Sequence, residues 1–168
     1  MLIVPVSHKF ISTGGSVLKP FHTTIGQLSG PQCLDLLRSN DMCHIGCIDN
    51  GSPYIYPVSY IFEDGCIYCH SRHGKKLQIL NDVSQVCVQV ENITDFFNWK
   101  SVMGWGQFEE LRGEEAYSYL RLMVKKMNPD HLSSTELDFT SVLFCDTVYR
   151  IRLVRVTGAF ESYTASDA

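Results

Sequence analysis

Apolar and polar positions alternate with a period of two over much of this 168-residue chain, the pattern of strands that bury one face. It predicts strands over residues 42–48, 54–62, 66–70, 85–91, 99–111 and 148–158. Asn50-Gly51 and Asp64-Gly65 join the first three as tight hairpins, because both dipeptides accept the positive φ angles such turns require. In the last strand the alternation sets Arg150 and Arg152 opposite Tyr149, Ile151 and Leu153.

Helical spacing takes over in three places. Ser29-Gly30-Pro31 opens a short helix that ends near Asn40, with Cys33, Leu36 and Leu37 as its apolar stripe. A second covers 75–81, with Leu77 and Leu80 facing inward. The third opens at Gly113-Glu114, carries Ala116, Tyr119, Leu120, Met123, Val124 and Met127 at core-facing spacing, and stops at Asn128-Pro129. Residues 92–98 read as a loop. Residues 1–28, punctuated by Gly14-Gly15 and Lys19-Pro20, show no clear period and are expected to form a loose arm ahead of a domain spanning 29–168. Six strands with helices too few for a βαβ repeat predict a mainly-β fold, a small six-stranded antiparallel barrel.

A net charge of −4 and a pI near 5.8 exclude a broad nucleic-acid surface, so any anion site must be local. No apolar run approaches the roughly 20 residues that span a bilayer. The apolar start at 1–6 lacks a basic flank and makes a poor export signal. Seven cysteines, an odd number in a chain too large to be a disulfide scaffold, suggest free thiols and a cytoplasmic location.

The local anion site has a candidate. His70-Ser71-Arg72-His73-Gly74-Lys75-Lys76 leads from a strand into the second helix and puts two lysines at its positive end. Cations are unfavourable there unless an anion joins them, and a helix start offers free N–H groups for a phosphate. The competing reading is a solvated helix start whose lysines only keep the surface soluble.

Other motifs carry less. Cys66-Ile67-Tyr68-Cys69-His70 has the C-x-x-C-H spacing of covalent haem attachment, but on a strand positions 66 and 69 leave opposite faces. Cys43 and Cys47 with Cys66 and Cys69 mimic a zinc ribbon, yet strand residues four apart lie about 13 Å from each other, too far for one ion, and no metal site is expected. Gly104-Trp105-Gly106 is not a dinucleotide fingerprint, since Glu109 occupies the third glycine's place; nor do Gly74 and Lys75 form a Walker loop. Gly104 and Gly106 instead offer bare backbone to a flat ring or another chain, or mark a bend at a barrel corner. No nucleophile, base and acid form a trio.

Taken in order, Gly51-Ser52-Pro53-Tyr54, Pro57-Val58-Ser59-Tyr60, Ile67-Tyr68-Cys69-His70-Ser71, Gly74-Lys75-Lys76-Leu77 and Ser101-Val102 through Gly106 to Glu109-Glu110-Leu111 resemble the FMN-binding split β-barrel family. These are the pyridoxamine 5'-phosphate oxidase-like proteins, and the resemblance is closest to the nitroimidazole-resistance-type branch. It implies a homodimer with FMN at the subunit interface. Pro57, Val58, Ser59 and Tyr60 would run along the flavin, His70 and Ser71 would contact ribityl or phosphate, Lys75 and Lys76 would neutralise the phosphate, and Ser101 and Val102 would reach the flavin from the long strand. His70, or Tyr60, is the nearest candidate proton donor.

Two departures limit the resemblance. Residues 53–60 contain no Arg or Lys, and residues 159–168 lack the arginine- and histidine-bearing segment that pyridoxamine phosphate oxidases use. The expected function is therefore not that enzyme's. It is an FMN-dependent oxidoreductase passing a hydride from a nicotinamide donor to a small electrophile, with nitroimidazole reduction as one candidate. The alternative is a non-enzymatic module that holds haem or flavin, with His44, His70 and His73 as candidate axial ligands.

Overall fold

The structure, a computed structural model, describes residues 4–8, 21–127 and 146–164. In chain order its elements are β1 (Val4–His8), β2 (Phe21–Gln27), α1 (Gly30–Ser39), β3 (Met42–Asp49), β4 (Ser52–Glu63), β5 (Cys66–Arg72), α2 (Lys75–Asp82), β6 (Gln85–Asp95), β7 (Asn98–Glu110), α3 (Gly113–Met127) and β8 (Asp146–Thr164). Asn50 and Gly51 take φ of 48° and 80°, and Asp64 and Gly65 take 48° and 75°. These are the left-handed turn conformations that the two hairpins need.

Every strand pair is antiparallel, in the order β1-β2-β8-β5-β4-β3-β6-β7, and β7 pairs again with β8. Strands β3 to β8 thus close into a six-stranded split barrel, while β1 and β2 extend from the far end of β8. The sheet has eight strands rather than the expected six because two segments of the expected loose arm are strands. β2 pairs with β8 from His22↔Thr164 to Gln27↔Ala159. Its buried positions are Thr23 and Gly26, so no apolar period announces it.

The loop expected at 92–98 is also corrected. β6 continues through Asp95 and β7 begins at Asn98, leaving only a turn at Phe96-Phe97. The Asp95 carboxylate accepts the Phe97 backbone N–H at 2.9 Å and the Asn98 amide at 2.9 and 3.0 Å, which closes the hairpin tightly.

Ile45, Val58, Tyr60, Ile67, Cys69, Val88, Val90, Val102, Tyr149 and Ile151 fill the barrel. α1 begins where the Ser29 N–H donates to Gln32 Oε1 at 2.8 Å, and its carbonyl at Leu37 accepts the Tyr60 hydroxyl at 2.7 Å. A second cluster lies outside the barrel, where Ala116, Tyr119 and Leu120 of α3 pack on Val148 and Leu111. The Val124 and Met127 side chains and the stop at Asn128-Pro129 lie outside the described residues.

Gly104 and Gly106 serve packing. A Cβ on Gly104 would stand 3.0 Å from Leu153 and 3.1 Å from Val88, and one on Gly106 would overlap the Arg152 carbonyl. The β7–β8 register shifts between Trp105 and Gly106. Of the two readings, the barrel corner is the one the structure shows; the bare backbone faces the core, not a ligand.

Candidate functional site

β5 feeds through Gly74 into α2, whose first internal bond is donated by the Gln78 N–H to the Gly74 carbonyl at 3.2 Å. The N–H groups of Lys75, Lys76 and Leu77 therefore stand outside the helical ladder. No side chain caps this end and its first turn holds no acid.

The two lysines behave differently. Lys75 Nζ donates to the Tyr54 hydroxyl at 2.8 Å and lies 3.7 Å from an Asp49 carboxylate oxygen. It also sits 4.4 Å from the centre of the Tyr54 ring, and its pKa is raised, by the Tyr54 hydrogen bond above all. Lys76 is half-buried, and burial pushes its pKa down from the usual lysine range. Among the described residues no hydrogen bond or ion pair compensates it. A half-buried ammonium without a counter-charge beside open helix N–H groups is a fitting place for a phosphate.

Strand alternation sorts the other predicted residues. Pro57 and Ser59 are exposed on the outer side of β4, whereas Val58 and Tyr60 are buried inside the barrel. Tyr60 spends its hydroxyl on Leu37, and burial raises its pKa far above the usual phenol range. It is thereby removed as a proton donor to anything outside. His70 is half-buried on the outer side of β5. Ser71 is buried, its Oγ 3.2 Å from the hydroxyl of Tyr149, which is itself fully buried. Ser101 is half-buried on the outer side of β7, where Gln89 Nε2 donates to it at 3.3 Å, while Val102 is fully buried. Val58, Tyr60 and Val102 could meet an outside ligand only through their backbone.

The structure brings Lys75 to Tyr54 and Asp49 at the turn end of the β3–β4 hairpin, while Ser59 pairs with Met42 at that hairpin's other end and Ser71 lies beside the buried Tyr149. Ser101 is elsewhere. β3 and β6 separate its strand from β4, and β8 separates it from β5. Between the two places runs the outer face of β4, β3, β6 and β7, which exposes Ile55 (70%), Ile48 (56%), Met42 (54%) and Met103 (39%). His44, paired in register with Pro57 and with Gln89, is half-buried on the same face.

Asp49 is the residue that sequence reasoning missed. It is distant from Lys75 in sequence, and the only signal was its place beside the Asn50-Gly51 turn that carries it toward Tyr54. The cysteine motifs behave as strand geometry predicts. Cys69 joins the barrel core and Cys66 does not, Cys43 and Cys47 share the inner face of β3, and the six described cysteines are free thiols. No helix among the described residues is long and apolar enough to cross a membrane.

Residues 29–160 match the family described as pyridoxamine 5'-phosphate oxidase. The chain belongs to this pyridoxamine 5'-phosphate oxidase-like family. An uncharacterised protein of Rhizobium meliloti is 25% identical over 95 residues, which covers 56% of this chain and 63% of that protein. Among solved structures, an FAD-binding protein of Mesorhizobium loti is 26% identical with a TM-score of 0.65, covering 82% of this chain and 98% of its own. A protein described as a candidate 5-nitroimidazole antibiotic resistance protein of Bacteroides thetaiotaomicron is 18% identical, with a TM-score of 0.66 and coverage of 85% and 92%. The FAD- and haem-binding protein of Mycobacterium smegmatis is 16% identical, with a TM-score of 0.72 and coverage of 84% and 76%. The family's split barrel is thus shared with flavin-binding proteins, and at the lower identities the likeness is one of fold alone.

Proposed function

We propose that this chain is a flavin-dependent oxidoreductase that holds FMN, or the FMN portion of a larger flavin, at the junction of β4, β5 and α2. The observation that carries the reading is Lys76, a half-buried cation with no counter-charge among the described residues, beside open N–H groups at the start of α2. The residues fit the group. Lys76 and the α2 N–H groups would take the phosphate. Ser59 and Pro57 would line the ribityl and ring along the outer side of β4, and His70 would stand nearest as a proton donor.

The bare face between the two groups of site residues supports a homodimer. Several large apolar side chains exposed on one face of a closed barrel call for a cover. A second copy turned about a two-fold axis would bring its Ser101 toward the first copy's β4–β5 junction, because such an interface pairs each patch with the other. Each site would then draw on both chains.

A bound flavin supplies the hydride transfer, from a nicotinamide donor to a small electrophile, with nitroimidazole-type compounds as the first class to try. The protein's part is to fix the phosphate, to exclude water with the apolar face, and to hold His70 at the rim. Two features support a substrate other than the family's vitamin: β4 presents no cation from Pro53 to Tyr60, and residues 159–164 are spent pairing with β2.

The experiment is the visible spectrum of the purified protein with added FMN, followed by bleaching with NADH or NADPH and recovery on adding the electrophile. A bound flavin that bleaches and recovers supports the oxidoreductase. A protein that takes up no flavin contradicts it, and a haem band on supplementation would replace it with the binding-module reading.

A further inference from the structure

Two lysines stand at the start of α2, and among the described residues only Lys75 has a counter-charge. Lys75 lies 3.7 Å from the Asp49 carboxylate and 2.8 Å from the Tyr54 hydroxyl to which it donates. The Asp49 side chain is 27% exposed, at the end of β3 beside the hairpin that begins β4. Tyr54 is held in turn by Tyr56, whose ring lies parallel within 9° at 6.1 Å. Nothing comparable reaches Lys76 among the described residues. A carboxylate on a neighbouring strand thus does for Lys75 what an anion at the helix start would do, relieving a cation at the positive end of the dipole.

We propose that Asp49, steadied by Tyr54, is a built-in stand-in for the ligand's phosphate, and that anion binding at α2 requires Lys75 to leave it. Asp49 is then a positioning residue that sets affinity by competition. In the empty site Lys76 is the standing receptor, and Lys75 is a second cation held in reserve. This deepens the flavin reading and rests on it for the identity of the ligand, though the competition applies to any phosphate that reaches the site. The common alternative role for such a contact has the opposite consequence. If Lys75 merely clamps α2 to the β3–β4 hairpin, loosening it would weaken the site.

The test is a titration of flavin-free protein with FMN, followed by flavin fluorescence, in wild type, Asp49→Asn, Lys75→Ala and the double variant. Inorganic phosphate, followed by the amide resonances of α2, is the second ligand. Competition predicts that Asp49→Asn tightens FMN by ~2- to 5-fold, the effect of one exposed ion pair. It also predicts that Lys75→Ala alone does little and that adding it to Asp49→Asn erases the gain. Tyr54→Phe should shift affinity in the same direction as Asp49→Asn, by less. Unchanged or weaker binding in Asp49→Asn overturns the proposal, as does a gain that survives Lys75→Ala. If phosphate follows this pattern while no variant binds FMN, the flavin reading falls and the competition stands; if none binds either ligand, both fall.

Discussion

The barrel has two outer faces of opposite character. On one, α3 covers β5 and β8: Leu120 and Val148 are essentially inaccessible, Tyr68 and Tyr119 stack at 5.7 Å, and Glu109 takes Arg150 at 2.6 Å and Arg152 at 3.0 Å. On the other, β4, β3, β6 and β7 leave Ile55, Ile48, Met42 and Met103 exposed. The same barrel thus finishes one face with its own helix and charges, and leaves the other unfinished between two groups of candidate site residues. The covered face shows what such a surface looks like once satisfied.

The sharpest way to break this contrast is to damage the covered face. Leu120→Ala should cost about 2–5 kcal/mol, the range for a buried leucine. The melting temperature should then fall steeply while FMN affinity in the surviving folded protein is unchanged. An equal effect on both would tie the two faces together and defeat the division of labour.

Lys76→Ala should act the other way round. FMN affinity should fall by ~10-fold or more, as expected for a charge-assisted contact with phosphate. Stability should hold or rise, since a half-buried cation with no partner among the described residues is removed. The pH dependence follows from the lowered pKa of Lys76. With the folded value below the unfolded one, the unfolded chain binds more protons in the window between them, so stability in the empty state should rise as pH climbs through the folded value. FMN affinity should fall over the same rise, as Lys76 loses its charge. Denaturant melts and FMN titrations across the alkaline range check both signs.

Ile55→Lys should leave the unfolding free energy of the isolated chain within about 0.5 kcal/mol, because the side chain is exposed. It should nevertheless dissociate the proposed dimer, read as a halved mass by sedimentation. The smallest effect belongs to the ion pairs on the covered face. The Glu109 carboxyl is held below the usual range, first by its hydrogen bond from Arg152 and then by that from Arg150. Its contribution is present above that range and is lost as pH falls through its folded value. Glu109→Gln should therefore lower stability at neutral pH by a modest amount that disappears in acid.

Much of this was legible in the sequence, for identifiable reasons. Asn50-Gly51 and Asp64-Gly65 encode their turns locally, and Leu77 and Leu80 encode the buried side of α2. β2 was hidden because its inward positions are Thr23 and Gly26, and the ends of β6 and β7 because residues 91–96 are exposed and held by pairing across the hairpin rather than by burial. At the site, the chain predicts both lysines at a helix start, but not that Asp49 answers one of them, because that contact forms only when β3 and α2 meet. The alternation that separates Pro57 and Ser59 from Val58 and Tyr60 was present in the sequence all along; grouping them as one stretch obscured it.

The central claim is that each site draws on both copies across the bare face, and subunit mixing tests it directly. Lys76→Ala spoils one contribution and Ser101→Trp fills the place of the other, so each variant alone should bind little FMN. Unfolded together in equal amounts and refolded, they should regain about a quarter of the wild-type sites, since random pairing makes half the dimers mixed and each mixed dimer holds one intact site. No recovery in the mixture, with dimers formed and both variants folded, would contradict a site shared between chains.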